Sequence, residues 1–470
     1  MWGGGSSFAA GGGGAGGGGG FAAGGGGGGG APGGRGGGGG GGFSGSSSRS
    51  SRSRNRRGGG GGGGGGQQNN APFGGGGGFG GGGGGAFQGG HGGGGRGGGG
   101  RDGGRGGRGG RSTGGRGGGS DIPCTSEVTL VAELQPQGAS GKINDIATDE
   151  AGAKLYVATG PVVRVWDCNT GAPLYEITVD PRAQVNALLI VNGHLFMGAH
   201  DPSPGGTTGI IRVMNLAGAT PPGNDPSAPH YDLTQGHTGA IYSMVLVNDM
   251  LVSAGVTVDK SLLVHKFNTA TSKFEPMTTL RGHTADPICL ETMGSYVFSG
   301  GLDSSIRMWN MANGQCERVI DAQTNGSHIA HTQAVTSMII WQWQNSPVVI
   351  SAGLDGLVKV WGKTDPKNPD PNQDPLSLVH TQGGQQGGRQ PNPCVYLCGF
   401  DDPNGKSVIA ASHQVANELR LYELPQFKKR GMCWSQTKAN RALITCIASH
   451  AIPGQFFTGD ENGVVRVWQC

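Results

Sequence analysis

From about residue 128 onward, apolar residues recur in short alternating runs separated by small or turn-forming residues, and one such unit repeats about every fifty residues. In it, a turn of small residues leads into an apolar strand that ends in tryptophan. Clear copies are SGGLDSSIRMW (299–309), SAGLDGLVKVW (351–361) and TGDENGVVRVW (458–468), with PVVRVW (161–166) a shortened one. Weaker copies end at Met214, His265 and Tyr422, which makes seven between Trp166 and Trp468. Alternation with period two marks half-buried strands, and self-similarity at this spacing marks a radial β repeat. Each copy reads as four antiparallel strands, in the fourth at about 287–292, 295–299, 305–309 and 315–320. One such sheet exposes both faces, so the copies must stack, and closing the stack into a ring covers the end surfaces. The pattern predicts an all-β, seven-bladed propeller over residues 121–470.

Its ends predict how the ring closes. Residues 464–468 are the third strand of the last copy, and Cys470 leaves no room for a fourth. VTLVAEL (128–134) precedes the first copy's own opening strand near 143–147, so it is expected to complete the last blade.

QGH (235–237), RGH (281–283), VWD (165–167) and MWN (308–310) give the chain a resemblance to the WD-repeat family, and hence to a WD40 β-propeller. The resemblance implies a hydrogen-bonded set in each blade: a histidine before the first strand, Ser or Thr in the second, Asp in the turn and tryptophan in the third. Two copies carry all four, His283, Ser299, Asp303 and Trp309, then His331, Ser351, Asp355 and Trp361. An unpaired buried member would cost roughly 1 to 3 kcal/mol. The third copy has His237 and Asp259 but His265 at the tryptophan position, the seventh has Thr458 and Asn462, and the first and sixth lack the acidic turn residue. These blades are expected to rest more on apolar packing.

Over 127–468, segments such as LYVATGPVVRVWDCNTG, YSMVLVNDMLVSAG and FFTGDENGVVRVW resemble plant-type proteins that combine CCCH zinc fingers with a WD-repeat propeller. That family implies RNA-contacting fingers before the propeller. No Cys, Cys, Cys, His set precedes residue 143, Cys124 stands alone, and His91 has no cysteine near it. Metal and finger functions therefore do not carry over.

A glycine and arginine tail stands in their place. Seventy of the first 120 residues are glycine, so residues 1–120 lack the apolar side chains that offset backbone ordering and are expected to be disordered. They hold 12 of the 35 basic residues and one of the 31 acidic ones, which leaves about +11 there and about −7 in residues 121–470. Arg35, Arg96, Arg101, Arg105, Arg108, Arg111 and Arg116 lie in glycine-rich sequence, with phenylalanines such as Phe43, Phe73 and Phe87 spaced through the tract. Guanidinium forks suit phosphates and stack on bases, and glycine lets the backbone follow an irregular strand. This favours RNA contact; a solubilising spacer is the alternative. Arg49, Arg52, Arg54, Arg56 and Arg57 sit among serines in SSSRSSRSRNRR (46–57), a patch suited to phosphate or to nuclear import. Phosphorylation there would subtract roughly 1.5 to 2 charges per serine.

No stretch reaches eighteen consecutive apolar residues, and the opening MWGGGSSFAA lacks the pattern of a signal peptide, so a soluble intracellular protein is expected, nuclear with shuttling to the cytoplasm. Nine scattered cysteines read as reduced thiols. Cys394 and Cys398, in the strand-like CVYLC, read as buried thiols rather than zinc ligands. No catalytic constellation, phosphate-binding loop or cofactor motif emerges, and neither a cofactor nor a small-molecule substrate is expected. Excursions at 201–209, 217–230, 362–375 and 381–393 are rich in Pro, Asn, Gly and Gln. By strand order, 217–230 and 381–393 are expected on one rim and 362–375 on the other. The leading reading is a non-enzymatic adaptor that holds a protein or ribonucleoprotein partner on the propeller rim and RNA on the tail. A substrate receptor of a ubiquitin-ligase-type complex and a self-associating scaffold are the alternatives.

Overall fold

The computed structural model describes residues 124–125, 127–135, 141–201, 208–216, 229–321, 329–343, 346–362, 376–383, 392–415, 417–436 and 441–470. The tail and its arginines, Arg35 to Arg116, lie outside the described residues. Seven four-stranded antiparallel sheets make up the described chain, and a two-residue ribbon (Ser435–Gln436 with Arg441–Ala442) accompanies the last of them. Blade one runs Ile143–Thr148, Lys154–Thr159, Val162–Asp167 and Pro173–Thr178, and the others repeat its meander. The first strand of every blade touches the first strand of the next, and blade seven's touches blade one's, so the circuit is unbroken. The chain is an all-β, seven-bladed propeller.

Small residues recur before the turn because neighbouring blades approach closely there. A Cβ at Gly300 of blade four would stand 2.6 Å from Val335 of blade five, and one at Gly459 of blade seven 2.6 Å from Ile143 of blade one. Apolar clusters fill the spaces between blades; one joins Val245, Val252 and Val264 of blade three to Leu290, Val297 and Trp309 of blade four. Trp343 is buried between blades five and six, its ring centroid 5.9 Å from that of Phe427, with Trp341 half-buried against the same cluster. The inner strands also bond across the seams. Asp145, Ser243 and Ser337 accept from the amides of Leu188, Leu290 and Leu397 in the following blade at 2.7, 3.2 and 3.1 Å.

Blade seven is built from both ends of the described chain. Ile444–Ser449, Gln455–Asp460 and Val465–Gln469 are its first three strands, and Thr129–Leu134 pairs antiparallel with Val465–Gln469 as the fourth. Before that strand, Cys124 and Thr125 run beside the outer strand of blade six, where Thr125 donates to Met432 O at 2.9 Å. Across the closing pair the buried guanidinium of Arg466 bonds Glu133 at 2.7 Å.

The rim assignment of one excursion is corrected. The fourth strand of blade two is His230–Leu233, so the connection from Gly209–Asn215 joins a third strand to a fourth, as the one from Leu357–Gly362 to Ser377–Gly383 does, and does not precede a first strand. HYDL is four residues long and half polar, too short to show alternation.

A chain that starts at residue 121 is expected to melt as one cooperative unit. One that starts at residue 137 lacks the closing strand and Glu133, and is expected to lose cooperativity or to melt well below it. Calorimetry of the two decides, and coincident melts would mean that the closing strand is dispensable.

Candidate functional site

In blade four the histidine ahead of the first strand reaches across to the second strand and to the turn. His283 Nε2 lies 2.7 Å from Ser299 Oγ and its Nδ1 lies 2.8 Å from Asp303 Oδ2, while Trp309 Nε1 donates to Ser299 at 2.8 Å. Blade five repeats the set, with His331 to Ser351 and Asp355 at 2.9 Å each and Trp361 to Ser351 at 2.9 Å. The aspartates also cap their own turns, accepting from the amides of Ser305 and Leu357, and they accept from the amides of Thr284 and Thr332 beside the histidines. Burial by itself would raise the Asp303 carboxyl, but bonds from His283, Ser305 and Thr284 together hold it well below the ordinary carboxylate value. These eight residues hold the turns in place. Seven of them are buried and the side chain of the eighth, Asp303, is covered, so they form a support rather than a contact surface.

Blades three and seven solve the same problem differently. In blade three, His237 Nε2 bonds Ser253 at 2.8 Å, but Asp259 turns away to Ser261 and to Arg281 of the next blade, both at 2.6 Å. Among the described residues, the buried Nδ1 atom of His265 has no hydrogen-bond partner. Burial keeps both rings neutral, pushed down to about 4. In blade seven, Trp468 bonds Thr458 at 2.9 Å, and the acid is Asp460 rather than Asn462. Ser435 and Arg466 both bond Asp460, and Arg466 also donates to Ser435. The expectation that blade seven rests mainly on apolar packing is therefore corrected: a buried ion pair substitutes for the missing histidine. A cue was present, because a basic residue stands two places before the tryptophan position in six copies, Arg164, Arg212, Arg307, Lys359, Arg420 and Arg466.

The turns between second and third strands share a rim with the connections that enter first strands. Backbone bonds fasten them to those entries: Leu302 to Asp286, Leu354 to Ala334, Gln414 to Pro393 and Glu461 to Leu443. On this braced rim, Val258 of blade three and Val415 of blade six are 84% and 76% exposed, with Leu302 and Ile329 partly exposed between them. Nothing in the apolar run of the sequence separated these four from core residues.

The inner strands hold one carboxyl that the sequence did not single out. Asp145 is fully buried and accepts from Ile146 and Leu188 amides at 2.9 and 2.7 Å. Burial outweighs those two bonds and pushes it up to about 7. Cys394 and Cys398 are fully buried strand thiols, each pushed up to about 12 chiefly by burial. All nine cysteines are free, and among the described residues no group of three or more His, Cys, Asp or Glu is arranged to hold a metal ion. No helix among the described residues is long and apolar enough to cross a membrane.

Asp303→Ala and Asp355→Ala each strand a buried imidazole and a turn amide, and are expected to lower stability by roughly 1 to 3 kcal/mol. Asp259→Ala removes an exposed pair with Arg281 and one bond from the Ser261 hydroxyl, but strands no imidazole, and is expected to cost less than either, about 1 kcal/mol. Thermal unfolding of the three variants separates the roles, and equal losses would refute the distinction. For Asp145 the folded value of about 7 lies above the ordinary 3.8, so the folded chain binds the extra proton and stability falls as pH rises between them. Asp145→Asn, though less stable overall, is expected to lose that part of the slope in denaturant titrations across this window.

Residues 274–310 and 323–362 match the family model described as WD domain, G-beta repeat. The chain is similar to Zinc finger CCCH domain-containing protein 17 of Oryza sativa subsp. japonica, 28% identical over 73% of this chain and 67% of that protein. It is also similar to Zinc finger CCCH domain-containing protein 62 of Arabidopsis thaliana, 28% identical over 73% of this chain and 70% of that one. Among solved structures, a chain in the crystal structure of the mitotic checkpoint complex superposes with TM-score 0.53 at 16% identity, over 73% of this chain and 92% of that one, a likeness of fold.

Proposed function

We propose that this seven-bladed WD40 propeller, related at moderate identity to plant CCCH zinc-finger and WD-repeat proteins, is a non-enzymatic adaptor. Its rim docks a protein or ribonucleoprotein partner, and its arginine and glycine tail contacts RNA, in the nucleus. The observation that carries the reading is the division of charge, about +11 in residues 1–120 against about −7 in the remainder. A tail of that charge releases counterions on meeting phosphate, whereas a net acidic propeller is not drawn to RNA by charge. The exposed Val258 and Val415 suit a protein partner, and the turn of Val415 is fastened to the entry of its blade by the Gln414 to Pro393 bond, so ordering it on binding costs little.

Binding of single-stranded RNA is expected to require residues 1–120, to show little sequence preference, and to fall steeply with salt. If six arginines meet phosphates, log K against log salt should have a slope of roughly −4. Replacing the tail arginines by lysine keeps the charge and removes the planar fork, so an intermediate loss is expected. Fluorescence anisotropy with the full chain, the lysine variant and a chain starting at residue 121 measures all three. Equal affinity in the shortest chain would move RNA binding onto the propeller.

A further inference from the structure

The segment that leads into the closing strand carries a thiol to the outer strand of blade six. Cys124 forms an antiparallel bridge with Cys433 of Lys428–Cys433, so the two residues stand directly opposite each other. The adjoining pair fixes which kind of bridge this is. Thr125 N donates to Met432 O at 2.9 Å and Met432 N donates to Thr125 Oγ1 at 3.0 Å, so Thr125 and Met432 are the hydrogen-bonded pair and Cys124 and Cys433 the non-bonded one. Non-bonded pairs bring their Cα atoms to about 4.5 Å, with both side chains on one face of the sheet. A disulfide needs Cα atoms roughly 4.4 to 6.8 Å apart. Gly431 lets the segment sit this close, since a Cβ there would stand 2.9 Å from Val128 and 3.0 Å from Thr125 Oγ1.

The two thiols share the face that packs between blades six and seven. Cys433 is fully buried in the cluster of Leu419, Leu421, Phe456 and Trp468, and the partly buried Cys124 and Cys470 pack against that cluster. Among the described strand pairs no other two cysteines lie opposite each other. Burial raises both Cys124 and Cys433 above the ordinary thiol value, so the resting chain holds them as protonated, free thiols. Access to them is unequal. Cys124 is partly exposed and open to a small oxidant, while Cys433 lies covered behind it.

We propose that Cys124 and Cys433 form an oxidation site, at which a peroxide converts the two thiols into an intramolecular disulfide that locks the root of the closing strand to blade six. The Cys124 sulfur attacks one peroxide oxygen: the S–O bond forms, the O–O bond breaks, and the departing hydroxide leaves as water with the Cys124 proton. Cys433 then displaces the hydroxyl from the Cys124 sulfur: the S–S bond forms, the S–O bond breaks, and a second water carries off the Cys433 proton. Two electrons pass from the pair of sulfurs to the peroxide, which is the oxidant. The new bond closes a covalent loop from 124 to 433, and the strand Thr129–Leu134 then lies between two fixed points, blade six before it and blade one after it. The inference does not depend on the adaptor reading.

The test exposes the full chain to hydrogen peroxide, blocks the remaining thiols with N-ethylmaleimide in denaturant, and maps linkages by mass spectrometry of the unreduced digest. A linked pair of peptides that contain Cys124 and Cys433 is expected, in a chain that stays monomeric. Because the loop it closes is long, the melting temperature should rise by about 5 °C or more, and dithiothreitol should reverse the rise. Cys124→Ser is expected to lose both the linkage and the rise, whereas Cys470→Ser keeps both. Linkage of Cys124 to Cys470 instead, oxidation of Cys124 to a sulfinic acid with Cys433 still open to N-ethylmaleimide, disulfides between chains in place of the internal one, or a rise in melting temperature that survives in Cys124→Ser each overturns the proposal. If a variant does not fold, the linkage map of the unsubstituted chain decides by itself.

Discussion

The structure depends on closing a ring whose two ends are far apart in sequence. Glu133 and Arg466 are separated by 333 positions and meet at 2.7 Å, in the one blade that no contiguous segment can build. Bringing such distant segments together costs chain entropy before any local contact repays it. A buried guanidinium held by two carboxylates and a serine is a demanding way to fasten the seam, because each charge is costly if its partner is missing. That demand also makes the pairing selective. The closing strand must place Glu133 on the Arg466 face, and a slip of one residue would turn it to the other face and leave the guanidinium with one carboxylate fewer.

Within the ring the blades use different chemistry for the same mechanical task. Blades four and five tie a histidine, a serine, an aspartate and a tryptophan into a buried set. Blade seven reaches the same end with Arg466, Asp460 and Ser435. Blade three completes only half of its set, because His237 reaches Ser253 while Asp259 turns outward to Arg281. In blades four, five and seven the second-to-third turn is braced from beneath. The residues it presents outward are thereby free to differ between blades, as Val258, Leu302 and Val415 do, without disturbing the stack.

Much of this was legible in the sequence because it is periodic. Strand alternation, the count of seven and the surplus opening strand at 128–134 all follow from the two-residue period and the spacing of the tryptophans. So did the candidate sets around Trp309 and Trp361, where a spacing of ten residues to serine and of six to aspartate recurs. The division of charge is likewise a property of the sequence alone.

What the tertiary structure decided are the matters in which spacing is mute. Whether Asp259 turns inward to His237 or outward to Arg281 depends on a neighbouring blade, and the structure shows it turned outward. Asp460 rather than Asn462 carries the seventh blade, because its partners Ser435 and Arg466 approach from separate strands. The short HYDL strand, the burial of Asp145 and the exposure of Val258 among apolar neighbours have the same origin. A repeat in sequence specifies which residues share a blade; only the packing of one blade against the next determines which polar atoms meet, which stay alone, and where space is left over.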